Sequence, residues 1–430
     1  MKLIIHRGTA EIGGTCVEVF TEKNRIVIDF GLPLVNAQKE SFDSRALIGK
    51  SPEELRRLKI LPSVSGLYKD EERSVDAILI SHSHMDHYGL LRYVHPGIPI
   101  YMSEGAKTLI EVSDIFTPHK IGKINTRIID KRKKLVIGDF EITPYLVDHS
   151  AFDALAFMIK ADGKKIFYSG DFRGHGRKSE LYRRMVSKPP KGIDCLLLEG
   201  SMIGRGEQLF KDEQAVQACM EKVLKTTPNI KFLFASSQNI DRIVSAYKAC
   251  LKTNHVFVID IYTAYILDCL RKVSKHIPQF NWRNIRVKFL KSHADSLAQN
   301  ASVKLLYAYN TRKIEIDEIN AIKDKVLMLA RDNSIFPILV KNIKGIERAK
   351  IIYSMWEGYL TDKFKDFIAQ KGLDIETVHT SGHATIQDLK VFAGALNPGK
   401  LIPIHTFESG QYPRLFKNVQ ILQDREEFDV

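Results

Sequence analysis

The sequence predicts an α/β protein in which a second α/β domain interrupts the first. Short β-branched runs separated by turns fill residues 2–30. Helix and strand patterns then alternate regularly from about residue 205 to 350, which is typical of a separate α/β domain. We therefore expect a first domain over residues 1–204, an inserted domain over 205–355, and a return to the first domain over 356–430.

The first domain is expected to begin as a sheet and to continue as alternating helices and strands. Residues 2–30 predict three strands separated by turn residues. Ser51-Pro-Glu-Glu predicts a helix start, because its serine is a good N-cap and its second glutamate completes a capping box. Residues 75–80 predict a buried strand, and Asp162-Gly163 predicts the tip of a hairpin.

The inserted stretch shows the two kinds of pattern in turn. Residues 231–235 and 255–260 are apolar runs of strand length, while helix patterns begin at Ile240 and at Ala264. Strands that are joined through helices usually lie parallel in one sheet. We therefore expect a parallel sheet with helices packed against it.

Composition places the chain among globular proteins without membrane spans or structural disulfides. At 430 residues and 44% hydrophobic content it can form two or three domains of roughly 100–200 residues each. No stretch approaches the ~20 apolar residues of a membrane span. The five cysteines form no CxxC pair, which favours reduced thiols in a cytoplasmic protein and leaves any metal to histidines and carboxylates.

The excess of positive charge is concentrated in the inserted stretch. The net charge is +13, and residues 201–360 contain 25 Lys and Arg against 15 Asp and Glu. A basic domain of this kind indicates a polyanionic partner, with nucleic acid the leading candidate. The alternative is a solvated basic surface without a partner.

The residues that indicate chemistry begin with Ser81-His-Ser-His-Met-Asp-His, directly after a predicted strand. In an extended segment alternate residues share a face, so His82, His84 and Asp86 can point together, and His87 follows as the chain turns. Imidazoles and carboxylates are the ligands of catalytic zinc when thiolates are absent. Four such groups suit two cations about 3.5–4 Å apart better than one.

Three further candidates end later apolar runs. His149 ends Tyr145-Leu-Val-Asp-His, Asp171 ends Phe167-Tyr-Ser-Gly-Asp, and His405 ends Leu401-Ile-Pro-Ile-His. A single histidine at a strand end is usually structural. A series of metal-capable residues, each after an apolar strand, instead predicts one shared site.

These motifs resemble the metallo-β-lactamase superfamily, and within it the β-CASP nucleases, with ribonuclease J-like proteins the most similar. The resemblance covers nearly the whole chain. It implies an αββα sandwich that carries an inserted β-CASP α/β domain. Beyond the histidine motif, the residues that match the family's motifs are Asp29, His149, Asp171, Glu199, His383 and His405.

The resemblance also implies roles for these residues. One zinc would take His82, His84 and His149, the other would take Asp86, His87 and His405, and Asp171 would bridge the two; manganese is the alternative metal. A metal-activated hydroxide would hydrolyse a phosphodiester. Asp86, His383 and Glu199 are the residues expected to take part in catalysis, with Glu199 orienting a histidine or capping a turn.

A small-residue loop before a predicted helix is the expected phosphate-binding element. Ser381, Gly382 and His383 precede Thr385-Ile-Gln-Asp-Leu, and the free N–H groups of a helix start bind phosphate. Ordinary N-capping of the helix is the alternative.

In the family, a histidine at the position of His405 accompanies RNA substrates, so the resemblance favours RNA over DNA. Base stacking is expected of aromatic residues in the inserted domain, for which the candidates are Tyr262, Tyr265, Phe280 and Trp282. Ribonuclease J proteins carry a further C-terminal domain that aids dimerisation, so the resemblance leaves self-association of this chain open. Two alternative functions remain: hydrolysis of a small ester, thioester or phosphodiester, and binding by an inactive nuclease scaffold.

Overall fold

The computed structural model describes residues 1–35, 41–206 and 208–430. Its strands are β1 (Lys2–Arg7), β2 (Cys16–Phe20), β3 (Arg25–Ile28), β4 (Ala77–Leu79), β5 (Ile100–Met102), β6 (Thr126–Ile128), β7 (Leu135–Ile137), β8 (Phe140–Leu146), β9 (Leu155–Ala161), β10 (Lys164–Tyr168), β11 (Cys195–Glu199), β12 (Lys231–Phe234), β13 (Val256–Asp260), β14 (Ile285–Lys288), β15 (Val326–Ala330), β16 (Lys350–Tyr353), β17 (Asp374–Thr377), β18 (Lys400–Ile404) and β19 (Glu427–Asp429). Its helices are α1 (Pro52–Arg57), α2 (Met85–Tyr88), α3 (Glu104–Phe116), α4 (Ser179–Ser187), α5 (Glu213–Thr226), α6 (Ile240–Thr253), α7 (Ile261–Leu270), α8 (Lys291–Asn300), α9 (Val303–Asn310), α10 (Ile316–Ala321), α11 (Ile335–Asn342), α12 (Asp362–Gln370), α13 (Ile386–Leu396) and α14 (Tyr412–Leu415).

The chain divides into two compact units. The first unit joins Met1–Gly206 to Gly382–Val430, and the second is Glu207–Ser381. The sequence pattern placed the return to the first domain at residue 356, which differs from this division. The reason is strand pairing: β16 pairs with β12 and β17 pairs with β16, so both belong to the sheet of the second unit.

The first unit is built on two sheets packed face to face. One has the order β19-β1-β2-β3-β4-β5-β6 and the other the order β18-β11-β10-β9-β8-β7. Side chains that alternate along the strands fill the space between the sheets, with Val17 and Leu79 from the first sheet meeting Phe157 and Ile166 from the second. The hairpin predicted at Asp162-Gly163 is confirmed as the turn between β9 and β10.

Helices cover the outer face of each sheet. Ala106 and Ile110 of α3 pack with the outward residues of the first sheet, whereas Leu389 and Phe392 of α13 pack with those of the second. The layers are therefore helix, sheet, sheet and helix, which confirms the αββα sandwich. The helix start at Ser51 is confirmed as well, since its side chain and that of Glu54 form the capping box.

The second unit contains a parallel sheet in the order β14-β13-β15-β12-β16-β17. Its strands are buried runs, and Phe232, Phe234 and Met328 form a core with Phe336 of α11 and Phe364 of α12. The parallel sheet predicted from the helix and strand alternation is confirmed.

Strand direction in the second sheet of the sandwich brings distant parts of the sequence to one edge. Strand β9 is antiparallel to both β8 and β10, while β10, β11 and β18 are mutually parallel. The carboxyl ends of β8, β10, β11 and β18 therefore lie at the same edge of the sheet. His149, Asp171, Glu199 and His405 stand at or just after these ends.

Cys16, Cys195 and Cys250 are buried free thiols. Within the described ranges, no helix combines the length and the apolar character that crossing a membrane requires.

A buried ion pair in the second unit provides a stability prediction. Arg242 of α6 and Glu213 of α5 are both inaccessible to solvent, and Nη2 of Arg242 lies 3.0 Å from Oε1 of Glu213. Replacing Glu213 by Ala would leave the guanidinium buried without its counter-charge, which costs about 3–5 kcal/mol. We expect a marked fall in the urea midpoint of Glu213→Ala, followed by circular dichroism.

Glu180→Ala is the matched control, because Glu180 also pairs with arginines, Arg183 and Arg184, but on the exposed face of α4. Exposed pairs contribute little to stability. Equal urea midpoints for the two variants would contradict the assignment of a stabilising role to the buried pair.

Candidate metal centre

The histidine motif leaves the carboxyl end of β4 and turns at once into helix. His82 and His84 lie in the extended segment, but α2 begins at Met85, with His84 as its N-cap residue. The expected extended face shared by His82, His84 and Asp86 is therefore not formed, because Asp86 and His87 project from the first turn of a helix. His87 nevertheless stays beside the preceding histidines, since its ring centroid lies 4.0 Å from that of His82.

The motif divides its ligand-capable residues between two groups. His82 and His84 approach His149, and Nε2 of His149 lies 3.2 Å from Nδ1 of His84. Asp86 and His87 approach His405, with Oδ2 of Asp86 3.6 Å from Nε2 of each of the two histidines. In each group the ligand atoms lie within 4.8 Å of one another.

Asp171 stands between the two groups. Its Oδ2 lies 3.7 Å from Nε2 of His82 in the first group. The same oxygen lies 3.1 Å from Nε2 of His87 and 3.5 Å from Nε2 of His405 in the second. One carboxylate therefore faces both sets of ligands.

The chemistry of these groups fits bound metal. Nε2 of His82, His87 and His405 and Oδ2 of Asp171 are buried and make no hydrogen bond to any residue that the structure describes. Buried polar atoms without partners are costly, so their convergence on one place calls for a ligand that binds all of them. Histidine nitrogens and carboxylate oxygens at this spacing are a suitable donor set for zinc.

Electrostatics separate the two groups. Burial lowers the pKa of His82 and His149 well below the usual value and lowers that of His84 to about 4, so these imidazoles are neutral and able to donate lone pairs. Burial also acts on His87, but Asp171, Asp86 and Asp29 outweigh it and raise its pKa. In the same group burial outweighs Asp171 and Asp86 at His405 and lowers its pKa, so the carboxylates favour a positive charge on His87 in particular.

A buried carboxylate behind the centre holds the ligands in position. Oδ1 of Asp29 accepts a hydrogen bond from the backbone N–H of Ser81 at 2.7 Å. Its Oδ2 accepts from Oγ of Ser81 at 2.7 Å, from the hydroxyl of Tyr168 at 2.6 Å, and lies 2.8 Å from Nδ1 of His87. Because Oγ of Ser81 also lies 3.0 Å from Nδ1 of His82, Asp29 orients a ligand of each group.

The other ligands have supports from separate loops. Nδ1 of His149 donates to the carbonyl oxygen of Gly382 at 2.5 Å, and Nδ1 of His405 lies 2.9 Å from Oγ1 of Thr15. Both contacts leave Nε2 directed into the centre. Close approach also requires glycine at residue 31, where a Cβ atom would lie 1.6 Å from the carbonyl oxygen of Asp86.

His383 and Glu199 lie beside this centre. Nδ1 of His383 lies 3.5 Å from Oε1 of Glu199 and 3.7 Å from Oδ2 of Asp171. Burial is opposed by these two carboxylates, which together raise the pKa of His383. Glu199 also accepts hydrogen bonds from the backbone N–H groups of Ser201 and Ala384, so it orients the histidine and caps a turn.

The loop before α13 leads directly into the helix start that was expected at Thr385. The helix begins at Ile386, and Thr385 caps it by accepting a hydrogen bond from the N–H of Asp388. Ser381 instead donates its N–H to Oε1 of Gln208 at 3.1 Å. The helix terminus is thus already capped by Thr385, and Gly382 and His383 contact residues of the metal centre.

Three supporting residues were not identified from the sequence. Ser81 is the first residue of the quoted motif but was given no role, and Tyr168 lies three residues before Asp171, so proximity to the ligands was an available signal. Thr15 gave no such signal, since it reaches His405 only through the fold.

Comparison with known proteins agrees with this geometry. Residues 52–227 match the family model described as a β-lactamase superfamily domain, and residues 371–410 match the Zn-dependent metallo-hydrolase RNA specificity domain. Over its whole length the chain also shares its fold with a crystal structure of an Enterococcus faecalis protein of unknown function, with a TM-score of 0.79, 21% identity and 99% of each chain covered.

Similar proteins of named function are ribonucleases J. The chain is 24% identical to ribonuclease J of Helicobacter pylori over 98% of its own length and 60% of that protein. It is 24% identical to ribonuclease J of Mycoplasma genitalium over 94% of its length and 67% of that protein, and 22% identical to an RNase J-like protein of Methanocaldococcus jannaschii over 66% and 63%. The chain thus spans about three fifths of the length of the Helicobacter relative.

In its αββα fold, its metal-capable site and the family model matched by residues 52–227, the chain is similar to the metallo-β-lactamase superfamily. Within this superfamily, the relatives of named function and the match to the RNA specificity domain make the chain similar to ribonucleases J.

Asp29 allows a test of how the ligands are held. Asp29→Asn keeps the shape of the side chain but removes the charge that faces His87 and one of the acceptor oxygens. Loss of a group that orients ligands typically lowers metal affinity roughly 10- to 100-fold. We expect a fall of this size in competition titrations against a chromophoric chelator.

Asp76→Asn is the control, because Asp76 is also a hydrogen-bonded carboxylate but precedes β4, at the end opposite to His82. The proposed role of Asp29 is wrong if both variants bind metal as tightly as the wild type.

Proposed function

We propose that the chain is a metal-dependent ribonuclease that hydrolyses phosphodiester bonds in single-stranded RNA and works with two zinc ions. The observation that carries the proposal is the pair of ligand groups that share Asp171. The match of residues 371–410 to an RNA specificity domain and the ribonuclease J relatives support RNA as the substrate. Buried free thiols such as those of Cys16, Cys195 and Cys250 are typical of cytoplasmic proteins, so the cytoplasm is the proposed compartment.

The two metal positions follow from the groups. His82, His84 and His149 would hold one ion, whereas Asp86, His87 and His405 would hold the other, with Asp171 as the shared ligand. Bound zinc supplies Lewis acidity and lowers the pKa of a coordinated water to about 7. The histidine-rich donor set favours zinc over manganese.

The remaining residues would act on the phosphate and the leaving group. Glu199 and Asp171 outweigh burial and raise the pKa of His383, so these carboxylates favour the protonated imidazole. His383 would stabilise charge on a phosphate oxygen or donate its proton to the departing oxygen. Glu199 keeps Nδ1 of His383 turned inward, while Gly382 both supports His149 and precedes His383 in the chain.

The second unit would serve as the inserted β-CASP domain and supply charge for the substrate. Residues 207–381 contain 27 Lys and Arg against 19 Asp and Glu. Phosphates are attracted by such a surface, and counterions are released as they bind. RNA binding should therefore weaken as the salt concentration rises.

Cleavage of end-labelled RNA tests the proposal. Wild-type protein loaded with zinc should degrade single-stranded RNA, and a chelator should abolish the activity. We expect His84→Ala to reduce the rate by more than the roughly 10- to 100-fold that loss of an outer-shell partner costs, since it removes a ligand. Three substrates will show whether cleavage begins at an end or within the strand: RNA with a 5′-monophosphate, RNA with a 5′-triphosphate, and circular RNA.

His276→Ala is the matched control, since His276 is exposed in the second unit and should leave the rate unchanged. If His84→Ala cleaves as fast as this control, the metal centre is not the active site. If zinc-loaded protein leaves RNA intact but hydrolyses a small ester or thioester, the substrate class is wrong.

A further inference from the structure

Two of the ligand candidates in the first unit stand on strands that are not neighbours. His149 follows β8 and Asp171 follows β10, and β9 lies between these two strands in the sheet. Because adjacent strands are about 4.8 Å apart, β8 and β10 are separated by roughly 10 Å. Strand pairing therefore does not fix the loop of His149 directly against the loop of Asp171, and another contact has to hold the two loops together.

A buried ion pair joins these two loops. Asp148 directly precedes His149, and Arg173 follows two residues after Asp171. Nε of Arg173 lies 3.4 Å from Oδ1 of Asp148, and both side chains are inaccessible to solvent. The backbone N–H of Arg173 also donates to the carbonyl oxygen of Asp148 at 2.7 Å. The loops are thus connected through their backbones as well as through their side chains.

The loop that carries Arg173 packs closely against the pair and against a helix. A Cβ atom on Gly176 would lie 2.3 Å from Oδ1 of Asp148 and 2.4 Å from Nε of Arg173, so this approach requires glycine. In the same loop, Nδ1 of His175 lies 3.5 Å from Oδ2 of Asp388 on α13. The loop after Asp171 is therefore held both by the ion pair and by a helix of the same unit.

The energetics of a buried ion pair favour a role in positioning over a role in stability. The attraction between the charges is strong where water is excluded, but removing both charges from water costs a comparable free energy. Apolar side chains of similar size would therefore stabilise the fold about as well. What a charged, directional contact adds is a defined position for the two segments that it joins. Here these segments carry His149 and the shared carboxylate of Asp171.

We propose that the Asp148–Arg173 pair is a positioning element of the metal centre. It would hold His149 and Asp171 at the spacing that the metal position of the first group requires. The proposal rests on the proposed function, because it takes the first group as one of two working metal positions. Neither residue of the pair would bind the metal itself. Residues that orient ligands typically change metal affinity roughly 10- to 100-fold, and we expect an effect of this size.

Titration of metal-free protein with cobalt(II) gives a readout that does not depend on activity, because the visible absorption of cobalt reports its ligands. The phase that is absent from His84→Ala belongs to the first group. Arg173→Met removes the charge but keeps much of the side-chain length, and it should weaken this phase roughly 10- to 100-fold. The phase of the second group should change much less, since only Asp171 connects that group to the pair. Arg173→Lys should recover most of the affinity because it keeps the charge.

A double variant covers the case in which Arg173→Met does not fold, since that substitution leaves Asp148 buried without its counter-charge. Asp148→Leu combined with Arg173→Met replaces the pair by apolar side chains, an exchange that often preserves stability. Its thermal unfolding should resemble that of the wild type, while its first-group cobalt phase should remain weakened. Wild-type cobalt affinity in the folded double variant would overturn the proposal.

Arg25→Met is the matched control for the loss of a paired arginine. Nη2 of Arg25 lies 2.6 Å from Oε1 of the buried Glu18 in the same unit. Arg25 begins β3, at the end of the strand opposite to Asp29, so its removal should leave both cobalt phases unchanged. Equal weakening of both phases in Arg173→Met, or the same weakening in Arg25→Met, would show that the pair acts through stability alone and would contradict the positioning role.

The outcomes separate this inference from the proposed function. If Arg173→Met weakens the first-group phase as expected but zinc-loaded wild-type protein cleaves no RNA, the ribonuclease function fails and the positioning role stands. If wild-type protein cleaves RNA and Arg173→Met retains both cobalt phases, the positioning role alone fails. If wild-type protein binds no cobalt, both fail.

Discussion

The metal centre depends on the buried carboxylate of Asp29. This residue follows β3, yet its two oxygens bind the segment after β4 through Ser81, the helical turn through His87, and the second sheet through Tyr168. Its backbone is left-handed, with φ of 57°, a conformation that aspartate tolerates better than most residues. A buried carboxylate is stable only when its oxygens accept hydrogen bonds. The residues that donate these hydrogen bonds to Asp29 are also the ones that position the metal ligands.

The inner face of the metal centre differs from the surroundings of Asp29, because its buried polar atoms converge without hydrogen bonds to described residues. Nε2 of His82, His87 and His405 all face Oδ2 of Asp171. His405 is held there with a positive φ of 54°, which costs free energy in a residue other than glycine. The fold therefore satisfies the outer nitrogens of the ligands and leaves the inner ones open, an arrangement that favours a bound cation over an empty centre.

Much of the site could be proposed from local sequence, because the histidine motif follows the apolar strand β4 of the first sheet, while His149, Asp171 and His405 follow apolar strands whose carboxyl ends share one edge of the second sheet. The layered fold followed in the same way from alternating patterns. The boundary between the two units after Ser381 could not be predicted in this way. Strand β17 is short and partly exposed, and it therefore lacks a clear apolar pattern. The contacts of Thr15 and Tyr168 join residues far apart in the chain, and only the packed sheets reveal them.

The buried thiols described above have a consequence for the chemistry that the centre can withstand. Cys16 and Cys250 are enclosed in the cores, and burial raises the pKa of both thiols. Peroxide reacts with the thiolate, and these thiols are both protonated and inaccessible. Since the metal-capable groups found among the described residues contain histidine, aspartate and glutamate alone, oxidants that strip zinc from cysteine-rich sites find no sulfur ligand here. A metal held by this donor set would therefore not be released by oxidation of a sulfur ligand.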